Sequence, residues 1–266
     1  MIRSPFISVM TDAALKAARS LRRDLGEVEA LQVSMKGPGD FVSAADRRAE
    51  KIIREALVKA RPTYGLVMEE AGRIAGSDGA HRWHVDPLDG TTNFLHGIPQ
   101  FCVSIGLERD GDFVAGVVYD PAKDEMFVAE RGKGAYLNNR RIRVAGRRDL
   151  SQALIGIATP HLGRGGHPRF LKELGAVMAR AAATRRLGAA ALDIAYVACG
   201  RLDAFWERDL NTWDFGAASV LVREAGGLFS ALDGKKSLVE TKDVICGNET
   251  MQAELNAILK GAASGS

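Results

Sequence analysis

Cysteine is scarce in this chain of 266 residues, with only Cys102, Cys199 and Cys246. The number is odd, the three are far apart and no Cys-x-x-Cys occurs. Neither a disulfide framework nor a thiolate zinc site is indicated. Each lies in an apolar setting and reads as a small core residue. An excess of charge of one sign is also missing. Lys and Arg number 36 against 33 for Asp and Glu, a net charge of +3, which lends nothing to a nucleic-acid or membrane partner. The Arg pairs, Arg185-Arg186 among them, are short and lack interleaved aromatics, so they read as solvated surface. Long apolar runs are absent too. The best candidate, residues 189–200, is short for a membrane span and carries Asp193. The opening Met1-Ile2-Arg3-Ser4-Pro5 has no long apolar stretch of the signal-peptide kind. A cytoplasmic, reduced protein is the expectation. The composition, 46% apolar and 26% charged, is that of a folded chain rather than a disordered one.

Several catalytic signatures are also missing. There is no GxxxxGK[ST], no GxGxxG opening a helix after a strand, and no GxSxG. The EF-hand spacing is absent. The closest acidic pair is Asp-x-x-Asp, which lacks the same-side geometry of the Asp-x-Asp nucleophile pair of haloacid-dehalogenase-type phosphatases. His81 and His84 are three apart on a strand-like run, so they point to opposite faces and read as structural.

Periodicity gives the outline. Residues 9–25 read as a helix. Residues 49–60 show the clearest 3.6-residue repeat, with Ala49, Ile52, Ile53, Ala56, Leu57 and Ala60 on one face. Between them, Lys36-Gly-Pro-Gly-Asp40 reads as a turn and mobile flap carrying Lys36. Strands are predicted at 65–68 and 82–85, followed by an antiparallel meander at 102–108, 113–119, 125–129 and 135–137. Beyond Asp149, strands (154–157, 184–187, 203–206, 227–230, 244–246) mix with helices (168–180, 190–199, 214–225, 250–259). This mixture implies a layered α/β arrangement. The chain divides into an N-terminal α+β half (1–145) and a C-terminal α/β half (146–266).

The chemistry concentrates in Asp86-Pro-Leu-Asp-Gly-Thr-Thr-Asn-Phe94. A strand runs into one carboxylate, and a second follows three residues later. Pro87 sets a turn and Gly90 permits close backbone approach. If Thr91 opens a helical turn, the Gly90 and Thr91 amides form an anion site. Two carboxylates beside an anion site repel the anion unless a hard divalent cation lies between them, and oxygen donors of this kind suit Mg²⁺. Glu69-Glu70 end the preceding strand, and Asp214 stands at a helix N-cap position. Each feature alone is an ordinary turn, cap or solvated pair; together they suggest a metal site.

The stretch from Asp86 to Phe94 resembles the first signature of the inositol monophosphatase family. Trp213-Asp-Phe-Gly-Ala-Ala-Ser-Val-Leu-Val-Arg-Glu-Ala-Gly-Gly227 resembles the second, and residues 188–203 look like its bacterial branch. Phe41-Val-Ser-Ala-Ala before Asp46 and the order Gly216-Ala217-Ala218 depart from common family patterns. The resemblance implies an αβαβα sandwich, a homodimer, lithium sensitivity and Mg²⁺-dependent hydrolysis of a small phosphate monoester, with two to three Mg²⁺ per active site. Carried over by position, Glu69, Asp86 and the Leu88 carbonyl hold one metal. Asp86, Asp89 and Asp214 hold a second, and Glu69 borders a third site. Thr91 paired with Asp46 activates water, and the Gly90 and Thr91 amides hold phosphate. Gly188, Ala190 and Glu207 line the alcohol end, with Asp89 and Asp214 near the substrate hydroxyls. The expected substrate is inositol-1-phosphate. Fructose-1,6-bisphosphatase, histidinol phosphatase and 3′-phosphoadenosine 5′-phosphate phosphatase activities are the alternatives on the same fold. A metal-binding interaction protein without turnover is the alternative from another class. The helix from Ala189, apolar beyond one face, offers some support for the dimer; burial of both faces within one chain is the alternative.

Overall fold

The computed structural model describes residues 4–25, 27, 33–37, 40–163, 165–232 and 237–264. The first helix, α1 (Pro5–Leu25), starts four residues earlier than periodicity suggests. Ser4 accepts the Ile7 N–H at 3.1 Å as a cap, and Pro5 occupies the first turn, where its missing donor costs nothing. Its Met10, Ala13, Ala14, Ala17 and Leu21 face α2 (Ala44–Ala60) and the first sheet, and all are buried.

Among the described residues that sheet has eight strands in the order β10-β9-β8-β7-β6-β5-β3-β4. The ranges are β3 (Gly65–Met68), β4 (Gly72–Ile74), β5 (His81–Asp89), β6 (Cys102–Arg109), β7 (Asp112–Asp120), β8 (Glu125–Glu130), β9 (Gly134–Leu137) and β10 (Arg140–Arg141). The meander β6 to β10 is antiparallel, while β3 and β5 run parallel. β4 and a hairpin of β1 (Val33–Gly37) and β2 (Asp40–Ser43) escaped the sequence reading. The Pro38-Gly39 tip of the predicted flap and the Lys36 side chain lie outside the described residues.

The second sheet, β12-β11-β13-β15-β14, comprises β11 (Leu154–Ile157), β12 (Ala183–Arg185), β13 (Ala204–Glu207), β14 (Leu228–Ala231) and β15 (Val244–Gly247). Helices α5 (Ala190–Ala198) and α6 (Thr212–Glu224) lie between the sheets, and α4 (His167–Met178) and α7 (Glu249–Ser264) cover the far side. The layers therefore run helix, sheet, helix, sheet, helix, and three apolar clusters fill the gaps. No described helix is long and apolar enough to cross a membrane.

The middle layer corrects one expectation. From Ala191 to Ala198 every residue of α5 is buried, so its surplus apolar surface is consumed by two sheets of one chain and gives no support to a dimer. Helix α6 sits unusually close to the first sheet. A Cβ at Gly116 would lie 2.1 Å from the Ala217 carbonyl oxygen, and one at Gly106 would lie 3.0 Å from the Ala217 nitrogen. These two glycines are cross-strand partners, so a patch without side chains lets the helix backbone rest on the strands.

Candidate active site

The odd spacing of Asp86 and Asp89 should send their side chains to opposite faces of a strand. The structure resolves this with a bulge. Asp86 pairs with Ser104 and Asp89 with Cys102, so three residues on β5 span two on β6. One residue is absorbed, and both carboxylates turn to the face that Ser104 and Cys102 share. Asp86 Oδ1 accepts the Leu88 N–H at 2.9 Å, tightening the turn. Gly90 follows at φ 91°, where an added Cβ would lie 2.9 Å from the Gln100 carbonyl oxygen. Only glycine fits there, and the chain then enters α3 (Thr91–Leu95).

Other elements deliver their groups to the same place. Glu69 follows β3, its N–H donating to the Val85 carbonyl at 3.2 Å, and its carboxyl is within hydrogen-bonding reach of Asp86. Asp46, in the first turn of α2, is fully buried and accepts the Thr91 hydroxyl at 3.1 Å, which also lies 3.0 Å from the Leu88 carbonyl. Asp89 accepts the Ala190 and Ala191 N–H groups at 3.1 and 2.7 Å from the positive end of α5. Asp214 is not the N-cap of its helix. Asn211 is, and Asp214 stands at N3, accepting the Asn211 N–H at 2.7 Å.

Glu69, Asp86, Leu88, Asp89, Gly90, Thr91 and Asp214 line a cleft of about 180 Å³ together with Gly188, Ala190 and Glu207, and Asp46 lies behind Thr91. A larger hollow of about 790 Å³ runs along the outer face of α2 by Arg47, Lys51, Glu55 and Val58. It contains neither Asp86, Asp89 nor Asp214, so the chemistry belongs to the smaller cleft. Arg208 does not pair with Glu207; it is held by Glu173 at 2.7 Å and Asp243 at 2.7 Å.

The sequence reading missed Arg186 and Asp193. Both line the cleft, though one looked like surface charge and the other like an interruption of an apolar run. It also missed the setting of Cys102, whose Sγ is 3.6 Å from Asp89. His84, read as structural, is buried, and its ring bridges Thr212 and Glu108.

Burial drives the electrostatics. The Asp86 carboxyl is pushed well above its ordinary range by desolvation, and then by Glu69, Asp89 and Asp214. Asp89 is raised to about 6, again chiefly by burial, and the two α5 amides limit the rise. Asp193 rises through burial and the nearby Asp89. Burial pushes His84 below its ordinary range, against the pull of Glu108.

Hard oxygen donors gathered next to backbone amides are the equipment of an enzyme that handles phosphate. The comparisons make this specific: the inositol monophosphatase family matches residues 2–263, and the chain belongs to it. It is 56% identical over 260 residues to an inositol-1-monophosphatase of Rhizobium meliloti, covering 98% of each chain. It is 43% identical to the Nus factor SuhB of Pseudomonas aeruginosa, covering 92% of each. Its fold matches the extragenic suppressor protein suhB of Bartonella henselae with a TM-score of 0.94 and 54% identity, covering 99% of this chain and 100% of that one. The protein is thus a phosphatase of the layered inositol monophosphatase fold.

Whether the residues suit a metal can be judged from the donors. Among the described residues no three His, Cys, Asp or Glu form a preset cage. The donor chemistry fits nonetheless. Glu69, Asp89 and Asp214 all raise the Asp86 carboxyl, so four carboxyls crowd one spot. A hard cation relieves that repulsion, and carboxylate and carbonyl oxygens are its ligands.

Proposed function

We propose that this chain hydrolyses inositol-1-phosphate to inositol and phosphate with Mg²⁺. The observation that carries the reading is the Thr91–Asp46 hydrogen bond beside the cluster of Asp86, Asp89, Glu69 and Asp214. Glu69, Asp86 and the Leu88 carbonyl would hold one ion, and Asp86, Asp89 and Asp214 another, with Glu69 bordering a third. Bound Mg²⁺ supplies an acidified water and neutralises charge on the phosphoryl oxygens.

The chain's own groups do the rest. The Thr91 hydroxyl donates its hydrogen bond to Asp46, leaving its lone pairs to accept from the attacking water. The proton of that water passes to Thr91 Oγ1 as the Thr91 proton moves to Asp46. The Gly90 and Thr91 amides bind the phosphoryl oxygens in a loose, in-line transition state. Glu207 and the Gly188–Ala190 segment orient the ring hydroxyls. Relatives named inositol-1-monophosphatase at 56% and 58% identity favour inositol-1-phosphate within the family. The homodimer and a cytoplasmic location rest on the family resemblance and on composition.

The test is phosphate release from inositol-1-phosphate, fructose-1,6-bisphosphate, histidinol phosphate and 3′-phosphoadenosine 5′-phosphate under titrated Mg²⁺. Inositol-1-phosphate should give the highest kcat/KM, with activation then inhibition as Mg²⁺ rises, inhibition by Li⁺, and no turnover with Ca²⁺. Preference for another ester overturns the substrate, and Mg²⁺-independent turnover overturns the metal.

A further inference from the structure

The Asp214 carboxylate comes from α6, while Asp86 comes from β5, and 128 residues separate them in the chain. Their meeting depends on how the first turn of α6 is set against the sheet. His84 lies two residues before Asp86 and, by strand alternation, on the same face. It is 2% exposed. Its Nδ1 shares a hydrogen bond of 2.8 Å with the Thr212 hydroxyl, the first residue of α6. Its Nε2 donates at 2.8 Å to Glu108, which also takes Arg82 at 2.7 Å. Phe113 packs edge-on at 4.9 Å and closes the ring off. A second tie sits next door: Ser104, the cross-strand partner of Asp86, donates to the Trp213 carbonyl at 3.0 Å. The glycine patch at Gly106 and Gly116 then removes any side chain that would hold the helix away.

We propose that the His84–Thr212 hydrogen bond is a latch that sets the first turn of α6 on β5, so that Asp214 meets Asp86 where a divalent cation needs both. His84 and Thr212 are positioning residues: neither lines the cleft, and they act through the placement of Asp214. The inference rests on the metal reading given above. The Glu108 end of the ring orients the imidazole, much as outer carboxylates orient metal-ligating histidines. Here the oriented ring holds a helix instead of an ion.

The two ring nitrogens can be separated by substitution. His84→Asn retains a polar atom near Nδ1, facing Thr212, while His84→Gln retains one near Nε2, facing Glu108. Mg²⁺ affinity is measured by calorimetry on the otherwise intact protein, together with the melting temperature of the metal-free form. Thr212→Val and His84→Gln should each weaken Mg²⁺ about tenfold. Thr212→Ser and His84→Asn should stay within about twofold of wild type. The double variant Thr212→Val/His84→Gln should be no worse than either single one, because the two changes remove the same bond. The Mg²⁺ concentration for half-maximal turnover should rise in step, with kcat at saturating Mg²⁺ changed by less than about threefold. Leu255→Ala, in the cluster under α7, serves as a stability control that melts earlier and binds Mg²⁺ as before. If Thr212→Val and His84→Gln only lower the melting temperature, as Leu255→Ala does, and keep wild-type affinity, the latch is refuted. Wild-type protein that takes up no Mg²⁺ would instead overturn the metal reading itself.

Discussion

Where the proposal seats the phosphate, the carboxylates are held by backbone. Asp86 takes the Leu88 N–H, Asp89 those of Ala190 and Ala191, and Asp214 that of Asn211. They sit on a bulged strand or in the first turn of a helix. Where the proposal seats the alcohol, Glu207 closes a strand, and the neighbouring Arg208 is committed to Glu173 and Asp243. Thr159, His161 and Arg186, from loops after β11 and β12, complete that wall. On the proposed reading, chemistry that tolerates little displacement is seated on regular elements, and recognition of the alcohol is left to strand ends and loops. Damage at one end should therefore lower turnover on every ester, and damage at the other should separate one ester from another.

The proton relay is where the phosphate end should fail hardest. Thr91→Ala removes the hydroxyl between water and Asp46 and should lower kcat by roughly 10²–10⁴-fold, with a much smaller change in KM. Asp46→Asn should match it. The double variant should be little worse than either, since Thr91 and Asp46 act as one unit. Rate losses that multiply in steady-state kinetics would mean that the two are not a pair.

Asp89→Asn should cost roughly 10²–10³-fold in kcat on inositol-1-phosphate and on p-nitrophenyl phosphate alike. The sequence alone suggests that relief of carboxylate repulsion would stabilise the metal-free protein. The structure tempers this, because both Asp89 oxygens accept an N–H from α5. An amide turns its NH₂ against one of them and leaves that donor unpaired. The metal-free variant should melt close to wild type in calorimetry, and wild-type turnover would remove Asp89 from the metal site.

What could be seen beforehand follows from which interactions are local. The amphipathic repeats of α2 and the meander are written in neighbouring residues, and so is the Asp86–Phe94 motif. The bulge that turns Asp86 and Asp89 to one face is not, since it is defined by register against β6. Residues 186–187 read as a continuing strand, but β12 stops at Arg185, and the Leu187 carbonyl instead accepts the Asn93 amide at 2.9 Å. Arg186, Asp193 and the His84–Thr212 bond gain their meaning only when distant segments meet. The apolar excess of α5 was legible, and so was burial of both faces within one chain as its alternative cause, but only the packed layers decide for it.

A smaller effect concerns the metal-free phosphate end. Asp89 titrates at about 6 in the folded protein against an ordinary 3.8. The folded state therefore holds this proton more tightly than the unfolded chain does. The stability so gained is complete below about pH 4 and is lost as pH rises through 6, on the order of 3 kcal/mol in all. Asp86, raised in the same direction, adds to the trend. Melting temperature in chelator should fall between pH 4 and 7. Saturating Mg²⁺ should abolish that fall, and its binding near pH 6 should release protons. A chelated protein that melts higher at pH 7 than at pH 5 would show that burial does not raise these carboxyls in the folded state.

At the alcohol end the expected effect is smallest and most selective. Glu207 is the last residue of β13 and lines the cleft with Asp214, where its carboxylate can accept hydrogen bonds from ring hydroxyls. The neighbouring Arg208 is held by Glu173 and Asp243. Glu207→Gln keeps the shape and loses a charged acceptor, worth roughly 1–3 kcal/mol. KM for inositol-1-phosphate should rise by about tenfold with kcat little changed. Hydrolysis of p-nitrophenyl phosphate, which offers no ring hydroxyls, should stay near wild type. Equal losses on both substrates would move Glu207 to the phosphate end as a support of the metal ligands. No loss on either would leave the alcohol end without this contact, and substrate choice would then have to come from Arg186 and the loop after β11.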